Sequence, residues 1–530
     1  VIAYTGRAPV PLGLTAAAAR RILDVGGSEE ERLSECEHVG IRGLADVWRE
    51  CVRRFPRRVG MWAGGRGFSY AELDVRARSI SAHLRESLGV APGDRVCILM
   101  NNCAEFYLAY WAVQLSGGVV CAVGPRLARD EAAYVIRESG ARVLFRGDGV
   151  EAPAEGTGIE HVLEAGRLDA LGADGDAGAG AEALGGGDDL AVLAHTSGTT
   201  GRPKIAEVTH ANLLFNLRTA IFAHSLRHED VILAGGPMYH CTPLYSLMPA
   251  CAYLGATLAV TGETAATRQA AGASAWFGVP TLFHQLAAAA RLDPGTLDGL
   301  RLLAYAGSPM RPETIRRLNE RWPRVALHNF FGLTETISMT HVLPACDALE
   351  RADSVGKVLP EVYVRIAGDD GAEVPRGQTG ELCFHRSNVI RAYWKRPGLL
   401  EGSFDGDWFR TGDVALEDED GYLYLQGRSK DMIIVSGENV YAAEVEAAVA
   451  RCPGVADVAV VGVPAEGVRA SLGELIKAVV VRAPAAEVKE LDVKRFCSGE
   501  LASYKVPHVV EFRDELPCNP AGKVMKEKLR

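Results

Sequence analysis

The most informative group of reactive side chains is a short hydroxyl- and glycine-rich segment that ends in a lysine, His195-Thr196-Ser197-Gly198-Thr199-Thr200-Gly201-Arg202-Pro203-Lys204. Its two glycines allow backbone N–H groups to turn toward an anion, its hydroxyls add hydrogen-bond donors, and Lys204 supplies a positive charge. Because Pro203 precedes that lysine and Ile205 follows it, the segment lacks the Gly-Lys-Ser/Thr ending of a Walker loop. The pattern therefore predicts a phosphate-binding loop of a different kind.

The elements that would position this loop form two runs of alternating helix and strand patterns. From Leu44 to Phe145, helical periodicity alternates with short β-rich stretches, which is typical of a largely parallel, doubly wound α/β sheet. The alternation resumes just before the loop and predicts a second sheet of the same type. The strands expected there are Leu190–Ala194, Asp230–Ala234, Ala256–Val260, Arg301–Ala304 and Arg324–Leu327.

The rest of the chain predicts two smaller units. Short strands with glycine turns from Ser354 to Leu425 indicate a small β-rich subdomain, and an α+β pattern follows Arg428. We therefore expect an α/β protein whose large N-terminal domain, 1–427, is hinged at 428–430 to a small α+β C-terminal domain, 431–530. The N-terminal domain would comprise subdomains of about 1–188, 189–350 and 351–427.

Composition excludes several classes of protein. The 530 residues carry a net charge of −10, so the chain has no basic field with which to bind nucleic acid. The apolar runs fall far short of the roughly 18 residues that a membrane-spanning helix needs. The N-terminal residues show no secretory pattern, and the 12 cysteines include no C-x-x-C pair, so we expect a cytoplasmic protein with reduced thiols.

One glycine-rich stretch offers a competing function. Gly178-Ala179-Gly180-Ala181-Glu182-Ala183 loosely matches a dinucleotide-binding fingerprint, but no strand precedes it. It lies within Leu171–Asp189, which contains almost nothing to bury and is typical of a surface linker. An NAD enzyme is therefore disfavoured.

The phosphate loop and four later motifs resemble, in order, those of the adenylate-forming superfamily: acyl-CoA synthetases, aryl-acid ligases, peptide-synthetase adenylation domains and beetle luciferases. The resemblance covers nearly the whole chain and is nearest to the bacterial acyl- or aryl-CoA ligases. The later motifs are Phe331-Gly332-Leu333-Thr334-Glu335, Thr411-Gly412-Asp413, Gly427-Arg428 with Lys430, and Pro517-Cys518-Asn519-Pro520-Ala521-Gly522-Lys523.

This resemblance implies an ATP site that binds Mg²⁺. The segment from Thr196 to Lys204 would close over the β- and γ-phosphates, with the aromatic ring of Phe331 stacking near adenine. Thr334 would touch the α-phosphate and Glu335 would help to hold Mg²⁺, for which one or two carboxylates suffice when phosphates are bound. The full set of implied ATP-binding residues is Thr196, Ser197, Gly198, Thr199, Thr200, Gly201, Lys204, Phe331, Gly332, Thr334, Asp413 and Arg428.

The resemblance also implies a mobile C-terminal domain. Asp413 would accept hydrogen bonds from the ribose hydroxyls, Arg428 would contact ribose or phosphate, and Lys430 would be the hinge residue. Lys523 would be the catalytic lysine, because a cation between the attacking carboxylate and the α-phosphate offsets their repulsion in the transition state. Ser436, Gly437 and Asn439 would border the tunnel that admits the pantetheine chain of CoA.

Two segments resemble the walls of the family's acid-binding pocket. The first contains Tyr239, His240, Cys241 and Tyr245, and the second contains Gly307, Ser308 and Pro309. His240 would pack near the carboxylate of the acid. Cys241 stands where adenylation domains for α-amino acids place Asp, and a thiol pairs poorly with an ammonium group. We therefore expect an aromatic or aliphatic acid without an α-ammonium.

The expected reaction is ATP-dependent activation of a carboxylic acid to acyl-AMP, with pyrophosphate release, followed by acyl transfer to a thiol. CoA is the expected thiol. The motifs do not distinguish it from the phosphopantetheine of an acyl carrier protein or from another nucleophile. An inactive nucleotide-binding regulator is the remote alternative, and the joint presence of Lys204, Glu335, Asp413, Arg428 and Lys523 argues against it. The particular acid, the pathway and the oligomeric state do not follow from the sequence.

Overall fold

The computed structural model of the chain describes residues 40–153, 155–168, 185–196, 203–260, 272–288, 297–307, 310–428, 432–435, 438–465, 474–519 and 524–530. Of these, residues 196, 428, 432, 434, 438 and 439 are described by their backbone alone. The α-helices span Leu44–Arg54, Tyr70–Ala82, Ala104–Ser116, Arg129–Ser139, His210–His224, Met248–Leu254, Pro280–Ala288, Pro312–Arg321, Pro397–Glu401, Ala442–Ala450 and Glu490–Glu500. Two π-helical turns, His83–Ser87 and Thr242–Leu247, continue or precede helices.

The first sheet has six strands in the described part of the chain. They are β3 Arg95–Leu99, β4 Val119–Ala122, β5 Val143–Arg146, β6 His161–Glu164, β7 Leu190–Thr196 and β8 Lys204–Thr209. Their order across the sheet is β6-β5-β3-β4-β7-β8. All neighbours pair in parallel except β8, which runs antiparallel to β7 at the edge of the sheet.

The second sheet is built on a parallel core. Its strands are β1 Val59–Ala63, β2 Arg66–Ser69, β9 Val231–Ala234, β10 Thr257–Val260, β11 Ala275–Gly278, β12 Leu302–Tyr305 and β13 Ala326–Phe331. The parallel strands follow the order β13-β12-β11-β9-β10-β1, and the sheet ends at the antiparallel edge strand β2. Strands β1 and β2 precede the first sheet in the chain, and the remainder follow it.

The expectation that Leu190–Ala194 opens the second sheet is wrong. This strand lies in the first sheet, where Val192 is the register partner of Val120 and Ala194 that of Ala122. An apolar run indicates a buried strand but carries no information about which sheet it joins, because that choice depends on long-range packing. The division of the chain near residue 188 therefore does not follow sheet membership.

The helix Ala104–Ser116 explains how the two sheets are held together. All its residues from Phe106 to Ser116 are buried, and it packs against β3 and β4 of the first sheet as well as β1 of the second. A helix that is apolar on every side must be covered on every side. Its Trp111 lies 4.6 Å from Trp48, ring centroid to ring centroid, within an aromatic cluster between the sheets.

The expected β-rich region is a continuation of the second sheet rather than a separate one. The observed strands are β14 His341–Leu343, β15 Ser354–Val358, β16 Val364–Ala367, β17 Thr379–His385, β18 Phe404–Asp405, β19 Trp408–Glu417 and β20 Leu423–Arg428. Strand β14 pairs antiparallel with β13, and the ladder continues through β15, β20, β19 and β17 to β16, with β18 paired to β19. The expectation of short strands between Ser354 and Leu425 is confirmed by β15 to β20.

The C-terminal region is the α+β unit that the sequence predicts. Its strands are β21 Met432–Val435, β22 Glu438–Tyr441, β23 Val455–Pro464, β24 Glu474–Arg482 and β25 Val509–Arg513. A hairpin of β21 and β22 precedes a three-stranded sheet in the order β23-β24-β25, which is covered by the helices Ala442–Ala450 and Glu490–Glu500. Its core contains mostly valine and isoleucine side chains.

Candidate active site

The candidate site lies at one edge of the second sheet. Because β9, β12 and β13 are parallel, their carboxyl ends lie at the same edge, where ligands bind in open α/β sheets. The segments that leave these ends contain the two expected pocket walls, which begin after Ala234 and Tyr305, and the motif that begins at Phe331. The topology therefore brings together three motifs that are separated by many residues in sequence.

The expected phosphate-binding segment connects two antiparallel strands. Thr196 at the end of β7 is the register partner of Lys204 at the start of β8. The expected ligands Ser197, Gly198, Thr199, Thr200 and Gly201 lie outside the described residues. Lys204 is described and half-buried, so its ammonium group can be placed relative to the rest of the site.

Lys204 and Glu335 are joined through a third residue, Tyr393. The ammonium nitrogen of Lys204 lies 4.8 Å from the centroid of the Tyr393 ring, within the range of a cation–π interaction. The Tyr393 hydroxyl donates a hydrogen bond to Oε1 of Glu335 over 2.5 Å. Burial, followed by the nearby Glu335 carboxylate, raises the pKa of Tyr393, so its hydroxyl stays protonated and remains a donor.

The segment that contains Tyr393 links the two sheets. Trp394 N–H donates to the carbonyl of Ile205 over 2.7 Å, which attaches the segment to β8. Ile390 N–H donates to the carbonyl of Glu335 over 2.8 Å, which attaches it to the loop after β13. These bonds hold the carboxylate at a defined place relative to the phosphate-binding segment.

The loop after β13 can fold only with glycine at position 332. A Cβ atom built on Gly332 would lie 1.1 Å from the carbonyl oxygen of Ser338. The loop closes through bonds from Ser338 N–H to the Leu333 carbonyl, 2.9 Å, and from Thr340 N–H to the Phe331 carbonyl, 2.8 Å. This turn leaves the expected ATP-binding residues Phe331, Thr334 and Glu335 half-buried at the sheet edge.

The two expected ribose-binding residues are adjacent across a strand pair. Asp413 of β19 is the register partner of Arg428 of β20, of which only the backbone is described. Asp413 is buried, and its N–H donates to the Thr411 hydroxyl over 3.0 Å. Gly412 between them has a φ of 75°, which a glycine adopts without strain. The structure thus brings together the two residues that the sequence predicts for one task.

The first pocket wall is held by a residue that sequence analysis missed. Asn102 donates from Nδ2 to the Gly236 carbonyl over 2.9 Å and accepts from Met238 N–H over 2.7 Å. The Tyr239 ring that follows is 4.8 Å from that of His240 and stacks at 6.4 Å on that of His195. Nε2 of His195 accepts a hydrogen bond from Gly124 N–H over 3.2 Å.

The ionisable side chains of this wall are neutral near pH 7. Burial, and then the charge of Arg126, lowers the pKa of His240 to about 4. Burial, and then His240, lowers the pKa of His195 to about 4. Burial also raises the pKa of the Cys241 thiol. The wall therefore supplies no fixed charge from these groups to pair with an ammonium substituent.

Two further features describe the space beside this wall. Tyr245 is fully buried, and its hydroxyl has no hydrogen-bond partner among the residues that the structure describes. On the second wall, Gly307 has a φ of 93°, and a Cβ atom built on it would meet no atom of the described residues within 4 Å. Ser308 and Pro309 lie outside the described residues.

The described part of the C-terminal domain surrounds most of its expected functional residues without including them. Lys430, Ser436, Gly437 and Lys523 lie outside the described residues, and Asn439 is described by its backbone alone. Their surroundings are partly described. The β21–β22 hairpin pairs Val435 with Glu438, and an isolated bridge pairs Cys518 with Val524 on the two sides of the segment that contains Lys523.

Glu335 fits a magnesium site that is shared with phosphates. Within the described ranges, no group of three or more His, Cys, Asp or Glu side chains is arranged to hold a metal ion alone. A hard cation bound to ATP takes most of its ligands from phosphate and water, so a single protein carboxylate suffices.

None of the helices in the described part of the chain has the length and hydrophobicity that a membrane-spanning segment requires.

Two residues of the site had no recognisable signal in the sequence. Tyr393 lies in an ordinary stretch, Arg391-Ala392-Tyr393-Trp394, and Asn102 precedes a helix in a pattern that many loops share. Each acts through contacts with segments that are more than 50 residues away in the chain. Only their partners in the folded protein identify them.

Comparisons with known proteins identify the family of the chain. The model of the family described as AMP-binding enzyme matches residues 48–394, and that of the AMP-binding enzyme C-terminal domain matches residues 444–523. The chain is 34% identical over 490 residues to a feruloyl-CoA synthase of an Amycolatopsis species, covering 90% of this chain and 96% of that protein. It is 33% identical over 484 residues to the long-chain-fatty-acid–CoA ligase FadD13 of Mycobacterium tuberculosis, covering 87% and 92%. The crystal structure of ATP-bound MatB from Rhodopseudomonas palustris is 30% identical, covers 92% and 98%, and superposes with a TM-score of 0.82.

Proposed function

The chain belongs to the family of AMP-binding enzymes and is an AMP-forming acid–thiol ligase, and from this premise we propose which residues perform its two half-reactions. In the first, a carboxylic acid attacks the α-phosphate of ATP to form acyl-AMP and pyrophosphate. In the second, a thiol displaces AMP. The connection from Lys204 through Tyr393 to Glu335 carries the proposal, because it holds a cation and a carboxylate beside the phosphate-binding segment.

The assignment of the ATP-binding residues rests on the resemblance of their motifs to those of the family, whose model matches residues 48–394. Thr196, Ser197, Gly198, Thr199, Thr200, Gly201 and Lys204 bind the β- and γ-phosphates, and Thr334 contacts the α-phosphate. Phe331 stacks on adenine, and Asp413 accepts hydrogen bonds from the ribose hydroxyls, with Arg428 beside it. Glu335 is the Mg²⁺ ligand, and when bound the ion neutralises charge that grows on the departing pyrophosphate.

Lys523 is the residue that we propose for stabilising the transition state of adenylation. Its ammonium group would offset the charge where the acid's carboxylate approaches the α-phosphate. For the second half-reaction the C-terminal domain turns about Lys430 and presents the Ser436–Asn439 region to the incoming thiol. The supporting observations are the sequence motifs and the match of residues 444–523 to the family's C-terminal domain.

The acid that we propose is aromatic or aliphatic and lacks an ammonium group next to its carboxylate. His240 and Cys241 are neutral near pH 7, which favours an uncharged acyl group over one that bears an ammonium. The open space beside Gly307 accommodates a flat or extended chain. The buried hydroxyl of Tyr245 is available to bond a polar atom of the acid.

CoA is the thiol that we propose, in agreement with the names of the relatives. A carrier protein that bears the same phosphopantetheine arm is the alternative acceptor. The cytoplasm is the proposed location, since it supplies ATP and CoA, and the described cysteines are free thiols.

One assay tests the class, the acid and the acceptor together. Pyrophosphate release is measured with MgATP over a panel of aryl, cinnamoyl, medium-chain fatty and amino acids, with and without CoA. Strong release with one uncharged acid, and its conversion to a CoA thioester, is the expected result. Release without a thioester would move the search to a carrier protein. If no acid elicits release although ATP binds, the proposal fails and a regulatory role is favoured.

A further inference from the structure

A hydrogen bond joins the second pocket wall to the C-terminal domain. Arg311 follows the segment that contains Gly307 and caps the helix Pro312–Arg321 at its start. Its guanidinium donates to the backbone carbonyl of Ala456 in β23. The bond therefore connects the acid-binding edge of the large domain to the domain that we propose to be mobile.

Ala456 lies at an irregularity of its strand. Val455 is paired with Arg482 and Asp457 with Val481, so the two pairs are two residues apart along β23 but adjacent along β24. Ala456 thus has no register partner in β24, as is typical of the extra residue at a β-bulge. Such a residue is available for a bond outside its own sheet.

Asp457, the neighbour of Ala456, affects the pKa of one group in each domain, His284 in the large domain and Cys518 in the C-terminal domain. Burial, and then the charge of Arg311, lowers the pKa of His284 in the large domain. The negative charge of Asp457 partly offsets this decrease. The same charge, after burial, raises the pKa of the Cys518 thiol in the C-terminal domain. Asp457 is therefore near both His284 and Cys518.

The strand that Arg311 contacts also supports the segment containing Lys523. Cys518 and Val524 form the bridge at the two ends of that segment. Val524 packs on a small apolar cluster whose members Ala459 and Val461 belong to β23. A contact that fixes the start of β23 against the large domain therefore also orients the base of the segment.

We propose that Arg311 is a positioning residue for the adenylation half-reaction, because its bond to Ala456 holds β23, and with it the Cys518–Val524 bridge at the base of the Lys523 segment, against the large domain. This inference rests on the proposed role of Lys523. The bond must break when the domain turns for acyl transfer, so Arg311 serves the first half-reaction and not the second.

The test separates the two half-reactions in the full-length enzyme. Acid-dependent pyrophosphate exchange reports adenylation, and thioester formation from supplied acyl-AMP and CoA reports transfer. Arg311→Ala is expected to slow adenylation about tenfold, the order expected for losing a hydrogen bond from a charged donor, and to leave transfer within about twofold. Arg317→Ala is the matched control, because Arg317 lies on the same helix and pairs with Glu313 at the surface, at 2.8 Å.

Further readouts exclude a merely structural role. If Arg311 only shaped the pocket wall, its loss would raise the KM for the acid, whereas a positioning role lowers kcat of adenylation and leaves that KM unchanged. A looser domain contact should also speed tryptic cleavage after Arg428 or Lys430, and Arg311→Lys should restore part of the rate. Equal loss in both half-reactions, or no loss in either, overturns the inference.

Failure of the underlying proposal is distinguishable. Lys523→Ala should abolish acyl-AMP formation and spare transfer from supplied acyl-AMP. If Lys523→Ala spares adenylation, the role of Lys523 is wrong. In that case faster cleavage of Arg311→Ala near the hinge would still report the domain contact, but the adenylation role of Arg311 would be withdrawn.

Discussion

The hydroxyl of Tyr393 donates a 2.5 Å hydrogen bond to Oε1 of Glu335, a residue 58 positions earlier in the chain. The ring of the same tyrosine lies below the ammonium group of Lys204. One side chain thereby fixes the spacing between the proposed phosphate-binding cation in β8 and the candidate magnesium ligand in the loop after β13. A change at Tyr393 should therefore affect the use of both ATP and Mg²⁺.

Tyr393→Phe removes the hydroxyl and keeps the ring beneath Lys204. Without its donor, the Glu335 carboxylate is held less firmly, so we expect adenylation to slow about tenfold and the Mg²⁺ concentration for half-maximal rate to change. Pyrophosphate exchange measured over a Mg²⁺ titration checks this. Glu335→Gln should slow adenylation more than Tyr393→Phe does. Wild-type rates for Tyr393→Phe at every Mg²⁺ concentration would show that the hydroxyl has no role in adenylation.

Gly332→Ala places a Cβ atom in the position of the Ser338 carbonyl oxygen, 1.1 Å away. The loop must open to relieve this overlap, so we expect loss of ATP binding and a fall of roughly 1–3 kcal/mol in the free energy of unfolding. Calorimetric titration with ATP and denaturant unfolding measure the two effects. Gly499→Ala is the control, since a Cβ atom there meets nothing within 4 Å. Normal ATP binding by Gly332→Ala would contradict this loop conformation.

Asp413→Asn replaces an acceptor-only carboxylate by an amide that has one acceptor oxygen. Because both ribose hydroxyls donate to this group in the proposed complex, we expect the KM for ATP to rise about tenfold or more, with a smaller change in kcat. Steady-state kinetics at saturating acid measures both constants. Asp405→Asn, which alters an exposed carboxylate 3.3 Å from Arg365, should leave the KM unchanged. The ribose assignment is wrong if the two variants behave alike.

Tyr245→Phe removes a buried hydroxyl that has no partner among the described residues. If the hydroxyl bonds the acid, as we propose, kcat/KM for the preferred acid should fall about tenfold. The melting temperature should not fall, because an unsatisfied polar group is lost from the interior. Kinetics on the preferred acid and thermal unfolding check the pair of expectations. An unchanged kcat/KM would show that the Tyr245 hydroxyl does not contact the acid.

Five histidines whose pKa values are lowered by burial make the stability of the fold depend on pH. Burial lowers the pKa of His195, His210, His240 and His328 to about 4 and that of His341 to about 3. In the unfolded chain a histidine titrates near 6.5, so between about pH 6.5 and 4 the unfolded state binds more protons. The free energy of unfolding should therefore be highest above about pH 6.5 and decrease as the pH falls toward 4.

Denaturant unfolding at several pH values between about 4.5 and 7.5 measures this slope. Titration of carboxylates alone would begin to reduce stability only near about pH 5, so a decrease that starts near pH 6.5 identifies the histidines. His341→Gln removes one of these groups and should make the slope shallower. A flat profile between about pH 7 and 5 would show that these histidines are not held neutral.

Much of the fold was predictable because it depends on short-range patterns. Alternating helical and β-rich stretches predicted the two α/β sheets, and the helices Tyr70–Ala82 and Ala104–Ser116 lie within the first of these runs, Leu44 to Phe145. The helix Ala442–Ala450 ends just before Cys452-Pro453-Gly454, and a Pro-Gly pair is typical of the residues that follow a helix. Periodicity and turn residues are local properties of the chain, so they can be read without knowing what lies across the sheet.

The family also followed from the sequence alone. Hydroxyls, glycines and a lysine in one segment indicate phosphate binding, and the order of the later motifs indicated the family, which the comparisons confirm. The roles of individual residues such as Lys523 stay predictions.

The tertiary structure decided which distant segments meet. The strand Leu190–Thr196 joined the first sheet, Tyr393 linked Lys204 to Glu335, and Arg311 reached Ala456 in the C-terminal domain. None of these contacts can be recognised from the neighbouring sequence, because each depends on how segments that are distant in the chain pack together. Side-chain type and spacing therefore determined the chemistry available to this protein, whereas long-range packing determined the distances at which that chemistry is arranged.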